Sequence, residues 1–389
     1  MNDSGPNVDI AIVGAGPVGM ALGRALANSR WRTLLIDSRP RGSWIADARA
    51  LAVAYGSRQL LERLDAWDGT SATAIREIHV SQQGGFGRTR IEADDYHLPA
   101  LGYVVRYRDL AGALDLALNN NCSGLDWIAP GTLETVDVRN DALHLQLRHR
   151  NEPLSVSARL VVHAEGTTHD GEGIWQHEYR QHAIIADVRP TEPHRHRAWE
   201  RFTPQGPLAL LPHGEDYSVV LTSPSKNAED LLRLDDAAFL DALRKRLGRR
   251  LDFVSAGPRV AFPLALRLRK QLTQPRQVWI GNSAQTLHPV TGQGFNLGLR
   301  DAWELAEALN DRSCTDPGDP GTLARYARRR QADRFIGAGL TDGCVRVFSN
   351  DFAPLRTARG MALAALDLAP PLRHLIAGQM IWGTRPPGR

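Results

Sequence analysis

The sequence predicts an α/β fold: a parallel sheet, interrupted by an inserted antiparallel β-sheet and followed by a helical C-terminus. Three observations lead there. Residues 8–37 alternate strand, glycine-rich turn, helix and strand, which opens a βαβ unit. Short β-rich runs bounded by Pro, Gly and Asp recur at 182–188, 208–212 and 217–222. From residue 295 onward helical patterning dominates.

Each element has a local reason. Residues 9–13 and 33–37 are short apolar runs of the buried-strand type, and 21–27 between them favours helix. Leu60, Leu61, Leu64 and Trp67 recur at helical spacing, so 57–67 reads as a helix. Residues 75–91 read as strands broken by Gly84, Gly85 and Gly87. Amphipathic helices are expected over 104–118 and 230–247, with alternating strands over 133–163. A helix at 295–310 precedes a loop rich in Asp, Pro and Gly at 311–321. No repeat or low-complexity tract occurs.

Composition narrows the function. The chain has 389 residues, 42% hydrophobic and 23% charged, ordinary for a globular protein with room for two joined domains. No apolar run approaches the roughly 18 residues that cross a bilayer, and the polar start lacks a secretory signal, so a cytoplasmic enzyme is expected. Cys122, Cys314 and Cys344 lack the paired spacing of a zinc site; no metal is expected, and buried inert thiols are. The net charge is +4 with a pI near 9.1, but the basic residues are scattered. Their densest cluster, Arg244-Lys245-Arg246 with Arg249-Arg250, closes a helical stretch. A solvated helix terminus explains it, and no nucleic-acid partner is expected.

Gly14-Ala15-Gly16-Pro17-Val18-Gly19 matches G-x-G-x-x-G between a strand and a helix. Gly14, Gly16 and Gly19 allow a tight turn and close approach of backbone to a pyrophosphate, which the helix N-terminus favours. Asp37 ends the next strand, where a carboxylate can hold ribose hydroxyls. The domain is therefore Rossmann-like, and a dinucleotide is expected.

A second glycine-rich turn follows far along the chain. Residues 278–280 form a strand delivering Gly281-Asn282, and a Pro-initiated loop at 289–294 feeds a helix. The stretch Gly281-Asn282-Ser283-Ala284-Gln285-Thr286-Leu287-His288-Pro289 with Gly292-Gln293-Gly294-Phe295-Asn296 resembles the second FAD motif of the flavoprotein aromatic hydroxylases, the class that includes para-hydroxybenzoate hydroxylase. The resemblance implies FAD as cofactor, with Gly281 and Asn282 along its ribityl chain. It puts Pro289 beside the isoalloxazine, and Gly292, Gln293, Gly294 and Asn296 at the pyrimidine edge. It also implies that Arg49, in Asp47-Ala48-Arg49-Ala50-Leu51-Ala52, approaches the flavin, and that Arg106 contacts FAD. A surface pair with Asp47 is the plainer reading of Arg49. Ala164-Glu165-Gly166 stands where the family has Ala-Asp-Gly, and His169 lies near the place of the usual Ser. Glu165 and Gly166 are cofactor-binding candidates, although the longer acid puts details of reduction by NAD(P)H in doubt. His288 is a structural histidine on this reading, and no general base is identified.

The resemblance divides the chain into a discontinuous FAD-binding domain (1–74, 101–178 and 262–340), a substrate domain (75–100 and 179–261) and a C-terminal helical region (341–389). It covers essentially the whole chain and is strongest to the ubiquinone-biosynthesis branch, carried also by Trp199-Glu200-Arg201-Phe202-Thr203-Pro204-Gln205-Gly206-Pro207 and Asp94-Asp95-Tyr96-His97-Leu98-Pro99. The implied reaction uses NAD(P)H to reduce FAD, adds O2 at flavin C4a, and passes oxygen from that hydroperoxide to a polyprenylated phenol. The particular expectation is 2-polyprenyl-6-methoxyphenol converted to its 1,4-benzoquinol. A sister hydroxylase acting elsewhere on the same ring, or a non-catalytic flavin-binding scaffold working with other ubiquinone-biosynthesis proteins, is the alternative. No Trp-x-Trp-x-x-Ile motif of a flavin halogenase is present. Residues 359–383 mix apolar side chains with Arg359, Arg373 and His374. They read as a helical cap, or more sharply as a surface meeting a partner or the inner membrane peripherally.

Overall fold

The computed structural model describes residues 7–120, 122–139, 142–166, 173–248, 250–348 and 353–384. Helices in chain order are α1 (Pro17–Leu26), α2 (Tyr55–Arg63), α3 (Tyr107–Asn119), α4 (Ser225–Arg233), α5 (Asp236–Leu247), α6 (Gln293–Asn310), α7 (Pro320–Phe348), α8 (Ala353–Leu368) and α9 (Pro370–Trp382).

The first sheet is built on strand Asn7–Val13. Thr33–Ile36 and Glu152–His163 flank it in parallel, with Ile12 opposite Leu35 and Val162. Leu125–Ile128 and Gln277–Trp279 extend the two sides, also in parallel. A hairpin of Gly131–Arg139 and Ala142–His149 pairs antiparallel onto Glu152–His163. Ile10, Ile12, Leu35, Leu160 and Val162 pack on one face against apolar residues of α1, α3 and α6. Ala11, Leu34, Ile36 and Val161 face the hairpin's Leu143, Leu145 and Leu147. Both faces are covered, which is why the central strands carry unbroken apolar runs at 10–13, 34–36 and 160–162 rather than alternating.

The second sheet is antiparallel except where Arg197–Thr203 runs parallel to Glu77–Gln82. Strand Ile174–Pro190 pairs with Asp216–Pro224 and Val260–Arg269, so the stretches 174–178 and 262–269 pair within this sheet. Helices α4 and α5 close one face through Ala228, Leu231, Phe239 and Leu243. A small three-stranded sheet of Ala50–Ala54, Gly102–Arg106 and Thr73–Ile75 lies between the two larger ones.

Three expected elements differ in extent. The helix expected over 57–67 spans Tyr55–Arg63, because Asp65 turns left-handed at φ 54° and ends it. The single helix expected over 230–247 is two, α4 and α5. Asp235 is extended there, and its carboxylate accepts the Ala238 N–H at 2.8 Å, starting a new helix. Residues 104–106 belong to a strand, and α3 begins at Tyr107. His169 and Arg249 lie outside the described residues.

The basic cluster ends α5 as anticipated. Arg244 pairs with Asp252 at 2.5 Å and Lys245 with Asp241 at 2.7 Å, so both charges are engaged locally. Cys314 is buried, Cys122 and Cys344 are half-buried, and all three are free thiols. Burial pushes the Cys344 thiol up to about 11, which keeps it unreactive.

Candidate active site

The first glycine turn is shaped by backbone crowding. Gly14 sits at φ +103°, and a Cβ there would lie 2.5 Å from the Ala164 carbonyl carbon. At Gly19 a Cβ would lie 1.9 Å from the Gly14 carbonyl oxygen. Only glycine lets the 14–19 turn nest against 164–165 while α1 packs beneath it. Gly16 is the N-cap of α1 with Pro17 behind it, and no side chain caps the helix, so its first N–H groups face outward. Asp37 closes the turn: its Oδ2 accepts the Ala15 N–H at 2.8 Å and its Oδ1 accepts the Arg39 N–H at 2.8 Å. Beside it a shallow recess of about 190 Å³ is lined by Asp37, Arg41, Trp44 and Trp127.

The second turn converges on the first. A Cβ on Gly298 of α6 would lie 2.9 Å from a Val18 methyl, and one on Gly281 would lie 3.2 Å from Val18. Two uncapped helix N-termini, those of α1 and α6, are thereby brought to one side of the sheet. Pro289 starts a single helical turn, Pro289–Thr291, and Gly292 follows at φ +61° as the N-cap of α6. Space around Gly294 and Gly166 is open. A cleft with outward N–H groups at both ends and glycine at its closest approaches fits an extended dinucleotide.

Other candidates are placed less simply. Asn282 donates to the Gly166 carbonyl at 3.2 Å, and the Ser283 hydroxyl donates to the Glu165 carbonyl at 2.5 Å, so the second turn is tied to the 164–166 segment. The Glu165 side chain lies 3.4 Å from His163 Nδ1. Arg49 forks onto Asp47 at 2.6 Å and lies over the Tyr107 ring. Hydrogen bonding to Asp47 raises the Arg49 pKa against the opposing effect of burial. The pair with Asp47 is thus present, and the guanidinium still borders the cleft through Tyr107, whose hydroxyl is 3.4 Å from a Cβ on Gly16. Arg106 donates to the Ala48 carbonyl at 2.7 Å and pairs with Asp187 at 2.7 Å, bridging the small sheet to the second sheet. Asn296 is spent on protein: it donates to the Ala52 and Gly292 carbonyls at 2.9 and 2.8 Å and accepts the Ala54 N–H at 2.8 Å. Gln293 is buried and donates to the Met380 carbonyl at 3.3 Å.

His288 is 1% exposed, and its Nδ1 accepts the Val290 N–H at 3.2 Å. Burial pulls its pKa down to about 4, so the ring is neutral and structural at physiological pH.

Next to Gly292, Gln293 and Asn296 lies a pocket of about 510 Å³ with apolar walls, among them Ile75, Ile78, Ile91 and Leu101. Helix α9 supplies Ala377, Met380 and Ile381 to it. The C-terminal segment is therefore a cap in the literal sense, anchored by the Tyr55–Trp382 ring contact at 5.3 Å. Its outer side exposes Leu368, Leu372 and Leu375.

A buried charge network supports the second turn, and motif reading passed it by. Asp301 accepts the Gly281 N–H at 3.0 Å, the Gln285 amide at 2.6 Å and Arg330 Nε at 2.6 Å. Arg330 is fully buried and also pairs with Glu304 and Asp333, at 2.9 and 2.8 Å. Burial opposes its charge, but the three carboxylates hold it protonated. Arg334 donates to the Gln285 side chain at 2.7 Å. The signal was there as acid and base at three- and four-residue spacing in α7, but that spacing usually marks a solvated face.

A family model for the FAD-binding domain matches residues 7–334. The chain belongs to that family, the FAD-dependent aromatic hydroxylases. Its cofactor is FAD, with NAD(P)H as reductant and O2 as co-substrate. Among its relatives, ubiquinone hydroxylase UbiL of Rhodospirillum rubrum is 34% identical, covering 97% of this chain and 91% of the relative. The 3-demethoxyubiquinol 3-hydroxylase of Escherichia coli is 31% identical, covering 94% and 96%. Among solved structures, p-nitrophenol 4-monooxygenase PnpA of Pseudomonas putida has the same fold, with a TM-score of 0.76 at 14% identity over 97% of this chain and 98% of that one. No helix among the described residues is long and apolar enough to cross a membrane.

Proposed function

We propose that this hydroxylase acts on a polyprenylated phenol of ubiquinone biosynthesis, and that 2-polyprenyl-6-methoxyphenol is its substrate. The observation that carries the reading is the pocket with apolar walls opening against Gly292, Gln293 and Asn296. A ring and the first isoprene units need such an apolar surface beside the flavin turn. The ubiquinone-pathway names of the full-length relatives support the same substrate class.

In this proposal FAD lies with its pyrophosphate on the turn of Gly14, Gly16 and Gly19, and Asp37, Arg106, Glu165 and Gly166 border its nucleotide half. Gly281 and Asn282 follow its ribityl chain, Arg49 and Pro289 flank the ring, and the backbone of Gly292, Gln293 and Gly294 meets its pyrimidine edge. Asn296 contributes by fixing the 50–54 strand to α6 rather than by touching the flavin. When bound, FAD supplies the oxygen-transfer chemistry. The chain's own residues orient the phenol and exclude water. Exposed Leu368, Leu372 and Leu375 beside the pocket wall support entry of a lipid substrate from a membrane surface at α8–α9.

The 3-demethoxyubiquinol 3-hydroxylase relative favours a second reading, in which the same site hydroxylates another position of the ring. Deleting the gene and identifying the accumulated quinone precursor tests both. Accumulated 2-polyprenyl-6-methoxyphenol supports the first reading, and a later intermediate lacking a different hydroxyl supports the second. Normal quinone levels, with no redundant enzyme, overturn both.

A further inference from the structure

Glu200 occupies a position that structural economy does not explain. On strand Arg197–Thr203 the side chains of Ala198, Glu200 and Phe202 project to one face by strand alternation. Ala198 packs with Ile75 and Ile78, both of which line the apolar pocket. Phe202 packs with Val290, inside the Pro289–Thr291 turn, and with Val345 of α7. Glu200 stands between them, so its carboxyl lies between the pocket wall and the turn assigned to the flavin ring.

Among the described residues, Glu200 Oε1 is buried and has no hydrogen-bond partner. Glu200 is half-buried, and it acts electrostatically on Cys344 of α7, so its side chain lies on the side of the sheet that α7 covers. Its neighbours on the opposite face are satisfied: Arg201 donates to the Arg246 carbonyl at 2.8 Å and Trp199 to the Tyr217 hydroxyl at 3.2 Å. An unpartnered buried polar atom costs stability, and an apolar residue of similar shape there is neutral or stabilising. Such a group calls for a partner that the fold itself does not supply.

We propose that the Glu200 carboxyl is the hydrogen-bonding anchor for an oxygen substituent of the aromatic substrate at the inner end of the pocket, a role that rests on the phenol-hydroxylase reading. Burial raises its pKa above the ordinary carboxylate range, which favours the protonated form able to donate its O–H to the ring oxygen. Fixing that oxygen sets which ring carbon faces the flavin turn. Glu200 is therefore also the residue through which ring position is selected.

The test uses the FAD-loaded full chain and a 2-prenyl-6-methoxyphenol with a short tail. Its binding is followed by perturbation of flavin absorbance and its turnover by NAD(P)H-dependent product formation. Glu200→Leu should bind FAD normally, melt at a higher temperature than the wild type, and lose about tenfold or more in affinity for the phenol, the effect of one charge-free hydrogen bond in a dry site. Glu200→Gln, which still offers a neutral donor, should stay within about threefold of wild-type KM and kcat by the same arithmetic. Unchanged affinity in both variants overturns the assignment. Loss of turnover in Glu200→Gln with binding intact also overturns it, because the group would then carry a proton rather than anchor oxygen. If the wild type itself does not respond to the phenol, the substrate reading fails instead, a result distinguishable from the other two. Should Glu200→Leu fail to load FAD, the Gln variant and a Glu200→Met variant decide the point by the same readouts.

Discussion

The two glycine turns perform related tasks with different construction. The 14–19 turn is made almost wholly of backbone: Gly14 touches the 164–165 peptide, Gly19 touches Gly14, and only Asp37 adds a side chain, by accepting the Ala15 N–H. The 281–296 turn hangs on side chains from distant elements. Asp301 holds the Gly281 N–H, Arg330 and Arg334 brace Asp301 and Gln285 from α7, and Asn296 stitches the turn to the 50–54 strand. A phosphate-binding turn needs only steric fit and free N–H groups. A turn beside a reacting ring must also hold its place, and here ionic and amide contacts do so.

The comparison can be broken most severely at Arg330. Arg330→Met leaves Asp301, Glu304 and Asp333 buried without their common partner and should cost about 3–5 kcal/mol. Urea unfolding of the FAD-free protein measures it. A loss below about 1 kcal/mol would show that the network is not what steadies the second turn.

Acid should find the second turn as well. The folded His288 pKa is depressed to about 4, below the ordinary 6.5, so the unfolded chain takes up a proton first as pH falls. Its stabilising contribution is complete above pH 6.5 and is lost progressively down to about pH 4. The shift corresponds to on the order of 3 kcal/mol. His79 in the second sheet is depressed similarly by burial, so the contribution of His288 must be isolated. His288→Asn, which keeps an acceptor for the Val290 N–H, should flatten stability between pH 6.5 and 4 by about half, as measured by melting temperature across that range.

The smallest effect on folding is expected at the first turn. Gly14→Ala forces a Cβ into the Ala164 carbonyl at a positive φ and should cost about 1–3 kcal/mol. Because the damage is to the anion-binding surface itself, FAD occupancy should fall far more than the melting temperature of the apoprotein. Equal losses of both would erase the distinction between a turn that binds and a turn that is braced.

How much was legible follows the same division. The strand, turn and helix at 8–26 could be read because they depend on neighbours within a few residues, and the Gly281 and Gly292 turns because their motif stands in the sequence even though their bracing does not. The break at Asp235 was missed because helical periodicity continues across it while a single cap overrides it. The partners of Asn296 were not legible, since a motif names a residue but not the partner its side chain finds. Asn296 finds a strand more than two hundred residues away, whereas the pairing of Arg49 with its near neighbour Asp47 could be read.

By itself, the sequence determined that a dinucleotide binds, because glycine spacing and helix starts encode anion binding locally, while FAD and the reaction class followed from the resemblance carried by the 281–296 stretch. Only the tertiary structure decided what braces the flavin turn, that α9 walls the pocket, and that Glu200 Oε1 is buried without a partner among the described residues. Desolvation and pairing belong to the packed whole, and no local stretch of chain contains them.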